Sequence, residues 1–322
     1  MILNYFLCRL AVITRLFFQS NHSVILKNMK RFSPITSIVV VLLIASFQGF
    51  SQEDSTKEKN NLQIFTPSKL LNKGQWDIKF FNGLYTQSRA TGAKSSKALE
   101  ILRETFFTST VELFTGISEN DRVNLGIILE YRSNTFEGAN AFSVFNFENS
   151  VTSRNGLSSI APAIKIQPFK SISNLSVQTA IHIPTFGGSD NEGVFLDQSS
   201  WVFQNRFFYD YTFVSGEWQL FTELNTEYSF GDQNSFANNS FLMTPGVFMS
   251  YFPTQETTVL GFIQHTERIG GNFQQNNSAI GFGGKYQLTK VLNVEVLYSK
   301  IIRGYNFQGL GHTFSFGLRA LF

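Results

Sequence analysis

The stretch HTFSFGLRALF, residues 312–322, decides how this chain is read. Phe314, Phe316, Leu318, Ala320 and Phe322 fall on one face of a two-residue repeat. Thr313, Ser315, Gly317 and Arg319 fall on the other. A period of two belongs to an extended strand whose successive side chains point to opposite sides. One side here is apolar and largely aromatic, whereas the other is small, polar or charged. The segment therefore separates water from something apolar, and what the apolar face meets sets the fold.

Composition narrows the choice. Among 322 residues, charged side chains make up 15%, well below the roughly 25% of an ordinary soluble domain. Aromatics are also 15%, with 36 Phe, yet the mean hydropathy is −0.04. That value is too polar for a bundle of membrane helices. It suits a membrane barrel, in which alternate residues face lipid and water. The net charge of +3 is small and its basic residues are scattered, so no nucleic-acid partner is expected. The single cysteine, Cys8, rules out a disulfide framework or a cysteine metal site. Tyr5, Phe6 and Leu7 before it supply no small residue for lipid attachment. No phosphate loop, zinc-protease or nucleophile-elbow motif occurs, so neither a cofactor nor catalytic residues are predicted.

Near the start, Met29, Lys30 and Arg31 form a basic region ahead of the apolar run 35–45 (ITSIVVVLLIA). Gly49 and Ser51 offer small residues for cleavage before Gln52. The apolar run is shorter than the ~20 residues of a spanning helix. Residues 29–51 are therefore predicted to be a cleaved secretory signal, and 1–28 a mis-called start or extended basic region. Residues 52–73 are predicted to be a polar periplasmic leader, too short for a plug domain, with the barrel over 74–322.

From Gly74 onward the chain divides into twelve runs with period-two patterning, each close to the length of a tilted membrane strand. They cover 75–86, 104–116, 122–132, 158–168, 174–184, 200–213, 217–229, 240–252, 257–268, 278–288, 291–303 and 312–322. Short turns at SENDR, KSIS, VSGE, PTQE and LTKV alternate with longer loops at 87–103, 133–157, 186–199, 231–239, 270–277 and 304–311. Such alternation is what periplasmic turns and extracellular loops produce. The predicted fold is an all-β, transmembrane, antiparallel up-and-down barrel of twelve strands with both termini periplasmic. Closure leaves no unpaired edge in lipid. Pro162, Pro168, Pro184 and Pro245 are expected to mark bulges or early strand ends.

The signal segment, the loop rhythm and the terminal Phe322 together resemble an uncharacterised Gram-negative outer-membrane β-barrel of transporter or porin-like type. The resemblance covers 74–322 and is architectural. It implies that Phe314, Phe316, Leu318 and Phe322 form the signal read by the β-barrel assembly machinery. It also implies outer-membrane lipid around the barrel and a small-molecule solute within it.

The clearest lipid faces are Val123/Leu125/Ile127/Leu129/Tyr131, Leu175/Val177/Thr179/Ile181/Ile183, Trp218/Leu220/Thr222/Leu224 and Leu292/Val294/Val296/Tyr298. The opposite parity defines the lumen. It collects Lys79, Glu112, Glu130, Arg132, Lys165, His182, Arg206, Asp210, Glu223, Glu295 and Arg319. Asp77, Arg122, Glu217, Glu227, Lys285 and Arg303 join them. A midplane Arg or Lys facing hydrocarbon costs about 2–4 kcal/mol, so a watery interior suits these charges. Phe81, Phe106, Phe114, Phe208, Phe221 and Phe248 share the parity and predict a narrow, partly aromatic path. The aromatic loop around Phe136 and Phe147 is expected to fold inward as a constriction.

The predicted function is a narrow channel or transporter for small solutes, amphipathic or aromatic ones included. The alternative is a non-conducting scaffold in an outer-membrane assembly. A lipid hydrolase is the weakest reading and rests on His312 lying near Ser88 at the outer rim.

Overall fold

The computed structural model describes residues 66–185, 194, 196, 200–232, 237–270 and 273–322. The expected signal at 29–51, the extension 1–28 and the leader up to residue 65 lie outside them. Twelve strands follow in chain order: β1 Trp76–Thr91, β2 Ala98–Gly116, β3 Val123–Thr135, β4 Ser153–Ile166, β5 Leu175–Pro184 and β6 Val202–Thr212. The second half comprises β7 Trp218–Ser229, β8 Ser240–Tyr251, β9 Thr257–Gly270, β10 Phe273–Gln287, β11 Leu292–Tyr305 and β12 His312–Leu321. Each strand pairs antiparallel with its neighbour in sequence, and β12 pairs with β1, so the sheet is a closed barrel.

The closing seam runs in register from Asp77↔Leu321 to Thr86↔His312. Phe322 completes it, accepting from Trp76 N at 2.7 Å and donating to Trp76 O at 3.0 Å. Phe314, Phe316 and Phe322 are exposed on the outer face, as are Leu125, Ile127, Ile181, Trp218 and Val296 from the expected lipid stripes. Leu175 and Thr222 share those stripes but are buried.

Two expected loops are mostly strand. Residues 87–103 shrink to a connection between Thr91 and Ala98, and 270–277 to one between Gly270 and Phe273. Their Gly, Asn, Gln and Ser content marks strand that is wet rather than strand that is absent. Paired backbone groups satisfy each other whatever the side chains contact. The prolines interrupt pairing on one side only. Pro162 still opposes Ile127, while the β4–β5 ladder breaks between Ile160 and Ala163. Pro245 still opposes Leu224, while the β8–β9 ladder breaks between Met243 and Gly246. Each proline lacks the N–H that the broken ladder would use. Pro184 ends β5, and Pro168 lies beyond the end of β4.

Inside the barrel, Phe114, Ile128, Ala161, Ala163 and Ala180 from β2 to β5 form a buried apolar cluster. Leu71, from ahead of β1, completes it. Inward Gly126 makes room for the ring of inward Phe114, because a Cβ there would overlap it.

Candidate functional site: the lumen

Alternation along paired strands aims Asp77, Lys79, Glu112, Arg206, Glu223 and Arg319 into the barrel, where they form one connected network. Arg319 grips Asp77 with two bonds of 2.8 Å across the closing seam. Lys79 lies 3.6 Å from Asp77 and 3.1 Å from Glu112. Glu112 then reaches Arg206 at 3.3 Å, and Arg206 bonds Glu223 at 2.8 Å. The Glu112–Arg206 contact joins β2 to β6, which are not neighbours in the wall. This pair therefore bridges the lumen itself. Lys285 and Glu295 form a separate pair at 2.6 Å between directly opposed positions of β10 and β11.

Beside this network runs a row of inward rings. Phe208, Phe221, Phe248 and Phe262 follow one another across β6 to β9 with centroids 6.1, 5.4 and 5.1 Å apart. Lys165 and Arg206 lie over the Phe208 ring at 5.3 and 5.0 Å, within the range of a cation–π contact.

Towards the short-turn end, residues 66–72 occupy the lumen. Thr66 Oγ1 donates to inward Asp210 at 3.1 Å, and Leu71 N donates to inward Asn124 at 3.2 Å. Lys165 Nζ donates to the carbonyls of Pro67 and Lys69, the second at 3.0 Å. Ser68 is 0% exposed and Leu71 3%. Gly116 permits this course, since a Cβ there would overlap the carbonyl oxygens of Leu71 and Asn72. Residues 66–72 thus enter the lumen, which the sequence reading of 52–73 as a periplasmic leader does not foresee. Seven residues are too few for a domain, but enough to fill a narrow mouth.

Towards the long-loop end lies a polar cavity of about 80 Å³, lined by Glu130, Arg132, Ser158, His182, Gln204 and Glu227 among others. Arg132 bonds Glu130 at 2.7 Å, and Ser158 Oγ lies 3.1 Å from Glu130 Oε1. Ser159, His182, Gln204 and Glu227 form a chain across β4 to β7, with steps of 3.2, 3.5 and 3.0 Å. Above it, inward Asn134 donates to the Leu196 carbonyl at 2.9 Å, and both Val194 and Leu196 are buried.

The 133–157 loop does not supply the expected inward constriction. Phe136 does meet inward Phe106 at 5.4 Å. The rest turns outward through a 3-10 helix at Ala141–Asn146. Phe145 packs on outward Phe107 at 5.0 Å, and Phe147 on outward Tyr131 at 5.9 Å. Outward Ser133 donates to the Val144 carbonyl at 2.6 Å. The rim of the outer wall offers aromatic partners, so the loop lies there.

Other residues expected in the lumen or at the outer rim lie elsewhere as well. Arg122 precedes β3 and donates to the Gln167 carbonyl at 2.6 Å, in the neighbouring turn. Glu217 lies in the turn before β7 and is exposed, as is Arg303. His312 bonds the Tyr298 hydroxyl at 2.6 Å, while Ser88 falls in the irregularity between Gln87 and Arg89. A different trio comes together on β9 and β10. His265 Nδ1 lies 2.8 Å from Ser278 Oγ, and its Nε2 lies 3.4 Å from Glu267. Asn124, Asn134, Ser159 and Gln204 complete the lumen and escape a search for charge, although they share its parity, and Ser158 reaches Glu130 from the register irregularity beside it. Residues 66–72 have no periodic signal at all.

A sequence profile of the family described as "Putative MetA-pathway of phenol degradation" matches residues 133–316. Among solved structures, the chain is similar to an outer-membrane channel from Pseudomonas putida F1, with TM-score 0.65 and 11% identity over 84% of this chain and 100% of that one. It is also similar to the β domain of the Bordetella autotransporter BrkA, with TM-score 0.51 and 13% identity over 76% of this chain and 99% of that one. Likeness at these identities establishes the outer-membrane barrel fold. No curated protein matches the chain in sequence.

Proposed function

The chain belongs to the family described as "Putative MetA-pathway of phenol degradation", and from that premise we propose that its barrel is a narrow outer-membrane channel for small solutes, hydroxylated aromatic ones among them. One observation carries this reading. Beside its apolar cluster, the interior keeps charged and polar groups around a cavity and along a row of rings. Twelve strands enclose more width than the eight whose side chains simply fill the interior. The Glu112–Arg206 bridge and residues 66–72 then take up much of that width. An aromatic solute finds offset ring partners along Phe208, Phe221, Phe248 and Phe262, the arrangement that rings favour.

In this reading the short turns lie in the periplasm and the longer loops outside. The segment 29–51 directs export and is removed before Gln52, so 52–65 lies in the periplasm and 66–72 enters the lumen from that side. Phe314, Phe316, Leu318 and Phe322 are the strand read by the assembly machinery. N-terminal sequencing of the protein from outer membranes should begin within a few residues of Gln52.

The scaffold reading draws support from residues 66–72 at one end of the lumen and from buried Val194 and Leu196 at the other. The hydrolase reading has only the Ser278–His265–Glu267 trio, and there His265 and Glu267 are 4% and 0% exposed. A base and carboxylate so enclosed give an ester no approach, and we assign the trio to the wall. Planar-bilayer recording tests the channel. Purified barrel should give small steps that grow when residues 66–72 are deleted. Folded barrel that passes neither ions nor solute, with or without that segment, would make the scaffold reading the correct one.

A further inference from the structure

We propose that the cavity beside Glu130 and Glu227 is a docking site for the hydroxyl head of a small solute. This inference rests on the channel reading and deepens it. The cavity, at about 80 Å³, is roughly half the ~150 Å³ that holds a benzene ring in a closed core. It therefore accepts a polar head, while the rest of the solute stays in the wider lumen.

The lining chemistry selects that head. Arg132 and Ser158 both engage Glu130, so this carboxylate is already neutralised and bonded. Glu227 is not matched in this way. Gln204 Nε2 and Asn225 Nδ2 both donate to its Oε1, at 3.0 and 2.8 Å. Oε2 carries no bond among the described residues. Because the Gln204 amide nitrogen is committed to Glu227, its oxygen faces His182 Nε2 and calls for a proton there. His182 Nδ1 then accepts from the Ser159 hydroxyl. The chain of side chains is thereby oriented and ends on a carboxylate oxygen in need of a donor. One position deeper on β7, Asn225 Oδ1 is also buried without a partner.

A hydroxyl meets both requirements of such a cavity. It donates to Glu227, and its lone pairs face the guanidinium of Arg132, which lines the same cavity. A carboxylate solute would oppose Glu227, and a methyl group would leave the carboxylate oxygen dry and unpaired, which is costly.

The test compares phenol, toluene and benzoate against the full mature barrel, wild type and Glu227→Gln. Glutamine keeps the acceptor used by Gln204 and Asn225 but removes the charge. Phenol should block wild-type current at lower concentration than toluene or benzoate. In Glu227→Gln its half-blocking concentration should rise about tenfold, the effect of losing a hydrogen bond to a charged group, while that of toluene stays put. Val202→Phe fills the cavity from a position outside the hydrogen-bonded chain and should give the same loss. Equal block by phenol and toluene, or phenol block indifferent to both substitutions, overturns the site. Equilibrium dialysis of phenol against barrel in proteoliposomes reads binding without current. Binding that depends on Glu227 in a barrel that carries no current keeps the site and removes the channel. Current without phenol discrimination keeps the channel and removes the site.

Discussion

Replacing Lys165 by Met should loosen residues 66–72 from the lumen. The Lys165 side chain is buried against Phe208 and donates to the Pro67 and Lys69 carbonyls. Methionine has similar length and no donor, so contact with the wall is largely kept. A hydrogen bond to a charged group contributes about 1.5–3 kcal/mol. Two are lost, but the freed carbonyls regain water and the cost of burying the ammonium disappears. The net weakening should be about 2–3 kcal/mol. Thr66 on Asp210 and Leu71 on Asn124 remain, so the segment still docks. At about 1.4 kcal/mol per decade, the lifted population rises roughly 30- to 150-fold. Ser68, 0% exposed, reports it when changed to Cys. An impermeant maleimide given at the short-turn side of proteoliposomes should label Ser68→Cys slowly, and faster by that factor once Lys165→Met is added. Equal rates in the two backgrounds, or labelling of both at the rate of a free peptide, would refute the docking.

Arg319→Met leaves the Asp77 carboxylate at the closing seam without its two-bond partner, with Lys79 at 3.6 Å. Breaking a buried pair on one side costs about 3 kcal/mol or more, so heat-modifiable migration on gels should be lost at a lower temperature. Deleting Ala141–Asn146 should leave the single-channel step unchanged, because that turn lies on the outer wall; a larger step would place it in the path. Phe142 and Val214 are 68% and 92% exposed at opposite ends of the barrel. Cysteine at Phe142 should react with an impermeant reagent on intact cells, and cysteine at Val214 only after the cells are opened. Reaction of both on intact cells would reverse the sidedness argument.

Strand parity is legible along the chain because a pleated strand sends neighbouring side chains to opposite faces whatever lies elsewhere. Leu125 and Ile127 alternate with Asn124 and Ile128 on that ground alone, and the exposures follow. The same local rule brings Lys79, Glu112, Arg206 and Arg319 to one side of the sheet. Strand ends are less legible. Phe273 to Asn277 pair fully with β9 while carrying loop-like side chains, because backbone pairing does not depend on them.

What parity cannot carry is who meets across the barrel. Glu112 and Arg206 are 94 positions apart and touch because barrel width and strand stagger bring β2 opposite β6. The outward turn of Phe145 and Phe147 depends on Phe107 and Tyr131 reaching the rim together, which register decides. Residues 66–72 are the furthest from sequence reading. Lys165 holds them by the backbone carbonyls of Pro67 and Lys69. A carbonyl is present at every residue, so a contact made to it leaves no mark in the sequence. Only the closed barrel, by placing a buried ammonium above its own mouth, selects which carbonyls are used.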